Sequence, residues 1–206
     1  MLDPITFVFS LVVLVMSVIA HEVAHGYAAE RLGDPTARLA GRLTLNPVSH
    51  FDMMGSFIVP IASYFLGGFV FGWAKPVPYN PYNMRSQKWG GAIVAVAGPL
   101  TNIGLALIFG LLVRFSPVLG LPTEILPIVQ TIVFLNLTLA LFNALPIPPL
   151  DGSKILFALL PYRLLYIQEF LERFSIVVMI LLVFFFWQLL LPIVYFFYTL
   201  ITGLGY

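Results

Sequence analysis

The chain has no cysteine, only three histidines and little charge, with Asp, Glu, Lys and Arg making up 9% of its 206 residues. Each shortage excludes something. Without cysteine there is no disulfide framework, no thiolate metal site and no cysteine nucleophile, so any metal must be held by histidine and carboxylate. The redox compartment is left open. The ten basic residues are scattered, with no patch or arm, which argues against nucleic acid as a partner. A formal charge of +1 points to no charged partner either. What fills the space is apolar: 60% of residues are hydrophobic and the mean hydropathy is +1.00. That composition suits a multi-spanning membrane protein and not a soluble globular domain.

The polar residues that do occur are concentrated. His21-Glu22-Val23-Ala24-His25 closes a run with no charge back to Asp3. On a helix, residues four apart share a face, so His21 and His25 can offer imidazole nitrogens to one ion, the ligand spacing of a catalytic zinc site. Glu22 projects beside them, placed to take a proton from a water that the ion activates. Two histidines hydrogen-bonding to neighbouring helices are the plain alternative. Burying His, Glu and His together in an apolar segment is costly, and that cost favours the metal. Residues 4–20 also mimic a signal peptide with Ala20 at the cleavage position. Met1-Leu2-Asp3 carries no Lys or Arg, however, and cleavage would cut the motif from its helix, so the segment is expected to be retained.

In chain order, residues 5–30 are long enough to cross a hydrocarbon core of roughly 30 Å, with Gly33-Asp34-Pro35 as the stop. Gly41 to Leu45 alternates apolar and polar like a short strand, and Asn46-Pro47 marks a turn. Residues 53–74 are uncharged but carry Gly55, Pro60, Gly67, Gly68 and Gly72, which suits a re-entrant segment. Trp73 to Pro81 is too proline-rich for a helix and reads as an extended loop. Two more spans are expected at 89–113 and 125–149, then a surface helix over 153–173. Residues 174–206 carry no charge and exceed one bilayer core, with Pro192 as a possible break. The expected fold is an all-α polytopic membrane protein with about four transmembrane helices and a re-entrant or β-containing segment between the first and second. It forms one domain over 1–206, with a core at 5–160 and a C-terminal membrane segment at 174–206.

A hydrolytic zinc site needs a third protein ligand and an open position. Asp151 and His50 are the candidates, with Asp52, Asp34 and Glu30 less well placed. Asp151 follows a span whose last turns are broken by Pro146, Pro148 and Pro149, and Gly152 permits a tight turn after it. The plain readings are a helix-end aspartate and a hydrogen-bonding loop histidine. If Asp151 shares an ion with His21 and His25, the ends of the first and 125–149 spans lie on one side of the membrane, which requires 53–74 to re-enter without crossing. Charge counting agrees. With a re-entrant segment nine of the ten basic residues collect on one side and only Arg114 on the other; with a crossing segment the split is four to six. The positive-inside rule prefers the first and makes the zinc-bearing side cytoplasmic, in a four-span chain whose N-terminus is outside.

Three stretches in order, His21-Glu22-Val23-Ala24-His25, Ala97-Gly98-Pro99-Leu100-Thr101-Asn102 and Asn143-Ala144-Leu145-Pro146-Ile147-Pro148-Pro149-Leu150-Asp151-Gly152, resemble the site-2 protease family of intramembrane zinc metalloproteases. The resemblance covers most of residues 5–160 and leaves the last 45 or so unmatched. It implies His21, His25 and Asp151 as ligands of one zinc per chain, Glu22 as general base, and a core of three transmembrane helices with a membrane-associated β region between the first two. Asn143 matches an asparagine thought to assist substrate or transition-state binding. The family usually reads Asp-Gly-Gly where this chain has Asp151-Gly152-Ser153, a departure that touches turn detail more than ligation. Asn46 to Gly55 and Gly72 to Pro78 resemble a compact subgroup without PDZ or nucleotide-sensing CBS appendages, for which this length leaves no room.

The implied reaction is hydrolysis of a peptide bond in or beside a transmembrane segment of another protein. Asn143 and Asn102 are candidate donors to substrate or oxyanion, against the plain reading of helix-packing amides, which also covers Asn136. His50 stays as a possible auxiliary. A substrate helix must be unwound before attack, and the strand edges expected at 41–45 and 56–60 are where it would pair. The expected partners are a transmembrane protein substrate and the lipid bilayer of the cell membrane, with no nucleic acid and no indication of oligomeric state. A divalent-metal transporter and a non-catalytic helix-binding regulator are the alternatives. The first lacks the paired broken helices of transporters, and the intact Glu22 argues against the second.

Overall fold

The structure, a computed structural model, describes residues 4–58 and 75–204. An apolar run needs only length to become a spanning helix, because in hydrocarbon every backbone group must be paired within its own segment. The chain follows this rule with α1 (Pro4–Arg31), α2 (Gln87–Arg114) and α3 (Leu126–Asn143). Among the described residues, Val8–Arg31, Gln87–Arg114 and Thr123–Asn143 are long and apolar enough to cross a membrane. The chain is a membrane protein. Two short helices follow, α4 (Asp151–Leu159) and α5 (Leu165–Arg173), and then α6 (Ser175–Thr202).

α2 is the central helix, packed against α1, α3, α4 and α6. It runs antiparallel to α1: His25 meets Val94, Ser17 meets Asn102, and Leu32 O accepts from Arg85 N at 2.9 Å. Ser86 caps it by accepting from Trp89 N. At the other end, Ala106, Val133, Leu137, Leu190 and Val194 from α2, α3 and α6 form a buried apolar core. Arg114 there donates to Leu200 O in the last turn of α6, where a cation is favoured. Pro192 lies inside α6 and does not end it.

The end of α1 is built by its own sequence. Gly33 takes a left-handed φ of 108°, which turns the chain so that Asp34 N–H returns to Ala29 O. The fully buried Asp34 carboxylate then gathers Thr36 N, the Thr36 hydroxyl, Asn80 N and Asn83 Nδ2. Lys75 N donates to His50 O at 3.0 Å. The flanks of 51–74 are thereby tied to one another at the end of the bundle where α1 stops and α2 starts. Most of the expected re-entrant segment, 59–74, lies outside the described residues; Met53–Ile58 before it is a π-helical turn.

Two expectations need correction. Residues 41–45 form a turn and bends, and no strand occurs among the described residues. Gly41 at φ 65° closes the one-turn helix Thr36–Leu39, and Arg42 points inward although the alternation placed it on a polar face. The single surface helix expected over 153–173 is two, because Pro161 cannot supply an N–H to continue α4.

Candidate metal centre

His21 and His25 sit one turn apart in α1, about 15 and 9 Å along the helix from Arg31 at the 1.5 Å rise. The site is therefore inside the apolar part of the bundle. Asp151 opens α4, brought back by the Ala144–Leu150 turn. His21 Nε2 lies 3.0 Å from His25 Nε2, and Asp151 Oδ2 lies 3.0 and 3.1 Å from the two. All three residues are buried, with 6–7% of their surface exposed.

Two glycines allow this convergence. A Cβ on Gly98 of α2 would lie 2.5 Å from His21 Nε2 and 2.6 Å from His25 Cε1, so the glycine leaves room for both rings. On Gly152 a Cβ would lie 2.2 Å from Ala144 O and 2.4 Å from Leu145 O, so only glycine lets α4 start against that turn.

The outer nitrogens decide what the inner ones carry. His25 Nδ1 is 2.7 Å from Val94 O, which can only accept, so Nδ1 carries the proton. Pro99 removes the hydrogen bond to Ala95 O and loosens the helix one residue from that carbonyl. His21 Nδ1 is 2.6 Å from Asn102 Oδ1. The Asn102 amide is oriented by its own donations to Asn136 Oδ1 and Ser17 O, while Asn136 Nδ2 donates to Ser17 Oγ and Ile132 O. Asn102 therefore accepts from His21 Nδ1–H. Both Nε2 atoms of neutral rings then present lone pairs to each other and to a carboxylate oxygen, an arrangement that repels unless a cation lies among them. The three separations are close to the edges of about 3.3 Å that ligands at zinc distances make in a tetrahedron. The residues fit the metal, and His21, His25 and Asp151 are the group that can hold one among the described residues.

The remaining oxygen of the carboxylate, Asp151 Oδ1, lies 3.5 Å from Lys154 Nζ, which also stands over the Tyr79 ring at 5.3 Å. Glu22 follows His21 in α1, and its Oε2 accepts from Val77 N of the 75–80 segment at 2.9 Å.

Other sequence candidates stand elsewhere. His50 is buried but donates to Thr44 O through Nε2, outside the cluster, so the possible auxiliary ligand is not brought in. Glu30 pairs with Arg38, and Asp34 closes the end of α1. Asn143 donates within its own helix to Leu139 O. Both amide protons of Asn102 are engaged, by Ser17 O and Asn136 Oδ1, and its Oδ1 holds the His21 ring. Ser17 and Asn136 are the residues that sequence reasoning undervalued. Their signal was polarity in spans of otherwise apolar residues.

The model of Peptidase family M50 matches residues 9–125 and 121–186. The chain belongs to this family, the site-2 proteases. Among similar proteins is "Putative zinc metalloprotease YwhC" of Bacillus subtilis, 38% identical over 161 residues, which are 74% of this chain and 69% of that protein. "Putative zinc metalloprotease Rip2" of Mycolicibacterium smegmatis is 35% identical over 149 residues, 70% of this chain and 55% of the relative. "Putative zinc metalloprotease MJ0611" of Methanocaldococcus jannaschii is 31% identical over 156 residues, 74% and 71% respectively. No solved structure matches significantly. The M50 match runs to residue 186, beyond the 5–160 that the motifs alone covered.

Proposed function

We propose that this M50 chain is an intramembrane zinc metalloprotease that hydrolyses a peptide bond in or near a transmembrane segment of another protein. The observation that carries the reading is the convergence of His21 Nε2 and His25 Nε2, from the membrane helix that also carries Glu22, with Asp151 Oδ2 as unprotonated donors. Zinc held by His21, His25 and Asp151 would supply Lewis acidity for the scissile carbonyl and the attacking water. Glu22 accepts the proton of the attacking water and delivers it to the leaving amine. Val77 N–H occupies Oε2, which leaves Oε1 for that transfer. Asn102 and Val94 O hold the two imidazoles in the tautomer that ligates. Asn143 serves substrate or oxyanion by rotating its amide away from Leu139 O.

The fold that serves this chemistry has four spans, α6 being the last, in one domain with its core at 5–160. The site faces the cytoplasmic side of the cell membrane, where nine basic residues gather.

Zinc content and hydrolysis measured on the same purified variants test the assignment. Wild type and Glu22→Gln should each hold one zinc per chain, His50→Ala likewise, while His21→Ala and Asp151→Ala should lose it. Glu22→Gln should hydrolyse roughly 100- to 10,000-fold more slowly. Zinc retained in Asp151→Ala, or wild-type rates in Glu22→Gln, would remove the reading; zinc transport, by contrast, would survive the glutamine.

A further inference from the structure

We propose that Arg42 is a positioning residue for Glu22, acting through the peptide unit between Pro76 and Val77. The inference rests on the reading of Glu22 as the base. Val77 N–H donates to Glu22 Oε2 at 2.9 Å, but the segment holding that donor, residues 75–80, has no helix or strand ladder of its own until the turn at Pro81. Pro76 and Pro78 flank Val77 and have no N–H to anchor it. The donor's position must be set from outside.

Arg42 sets it. Its guanidinium is buried, with 7% of the residue exposed, and Nη2 donates to Lys75 O at 2.5 Å and Pro76 O at 3.3 Å. The Pro76 carbonyl and the Val77 N–H belong to one rigid, planar peptide group. A cation therefore holds the carbonyl edge of the plane whose amide edge meets the Glu22 carboxylate, and the plane can turn only if one of the two contacts breaks. Lys75 N–H, bound to His50 O at 3.0 Å, anchors the segment one residue earlier. Gly26 permits the approach, since a Cβ there would lie 2.9 Å from Val77 Cγ1. Among the described residues Arg42 Nε has no hydrogen-bond partner, and it is the carbonyl contacts through Nη2 that orient the group.

Backbone amide exchange at Val77 in purified full-length protein, with and without zinc, is the direct test. Pro76 and Pro78 contribute no amide, so the Val77 signal is isolated on both sides. Exchange should quicken about tenfold or more in Arg42→Gln, whose neutral amide is the weaker donor, and in Glu22→Ala, and less in Arg42→Lys, which keeps a cationic donor. The second arm uses the synthetic transmembrane peptide that wild type cleaves fastest in a screen of such spans. There kcat should fall about 10- to 100-fold in Arg42→Gln, KM should move about twofold or less, and one zinc per chain should remain. Val77→Pro, which deletes the N–H, should give the same loss, and Arg42→Gln/Val77→Pro no further one. Unchanged Val77 exchange in Arg42→Gln, multiplied losses in the double variant, or loss of zinc would each overturn the proposal. If wild type cleaves no peptide, it is the protease reading that fails, and the exchange arm still decides whether Arg42 orients this peptide.

Discussion

His21 can ligate a metal through Nε2 only while Nδ1 keeps its proton, and Asn102 Oδ1, 2.6 Å from Nδ1, is the acceptor that keeps it there. The acceptor is dependable because Asn102 cannot flip: its Nδ2 is bound to Asn136 Oδ1 at 2.8 Å, and Asn136 Nδ2 to Ser17 Oγ at 2.9 Å. Such outer partners of a metal-ligating histidine typically carry 10- to 100-fold in affinity. Asn102→Leu should therefore weaken zinc binding by about that factor in competition with a chelator, while Asn102→Asp, which keeps an acceptor in the same place, should lose less. Equal affinity in wild type and Asn102→Leu would show that His21 needs no such support. The sequence exposes the ligands more readily than this support. His-Glu-x-x-His is local, and its geometry follows from helical spacing alone. Asn102 is 81 residues from His21, and an asparagine in a span looks the same whether it donates to a substrate or accepts from a ligand.

At the scale of elements, the 33–50 and 75–85 loops are held to the end of α1 by the Asp34 carboxylate. Burial alone would push its carboxyl up, but the hydrogen bonds from Thr36, Asn80 and Asn83 outweigh burial and hold it below the ordinary aspartate value. A carboxyl with a lowered folded value stabilises the fold above its unfolded pKa, and that contribution is lost as pH falls through the folded value. Thermal unfolding in detergent should accordingly show little dependence on Asp34 between about pH 5 and 8 and a loss beginning below about pH 4. Asp34→Asn should be less stable at neutral pH and should lack that part of the acid loss; identical pH profiles would contradict it. Elements of this kind are unevenly legible. The spans declare themselves because an uncharged run of sufficient length has one solution in a membrane. Gly41 to Leu45 misleads because alternation assumes that Arg42 faces solvent, whereas it turns inward to bind carbonyls 33 and 34 residues away. The Pro161 break was readable from proline alone, but charge spread over 153–173 masked it.

For the whole molecule, the pairing of Leu32 O with Arg85 N and of His50 O with Lys75 N puts both flanks of 51–74 at one end, while Arg114 and Leu200 meet at the other. Nine of ten basic residues then lie at the metal-bearing end, the asymmetry that sets orientation during insertion. The absence of cysteine makes this directly measurable, since a single introduced thiol is the only one in the chain. Leu45, Tyr82 and Glu169 are exposed positions at the metal-bearing end, whereas Val118 and Leu204 are exposed near Arg114. In intact cells a membrane-impermeant maleimide should label Val118→Cys and Leu204→Cys and spare Leu45→Cys, Tyr82→Cys and Glu169→Cys until the membrane is opened. A reversed pattern would place the metal centre outside the cell. Opposite labelling of Leu45→Cys and Tyr82→Cys would mean that 53–74 crosses, and Asp151 could then not reach His21 from its own side. Protection of Leu204→Cys together with Glu169→Cys would instead leave three spans, with α6 returning to the side it started from.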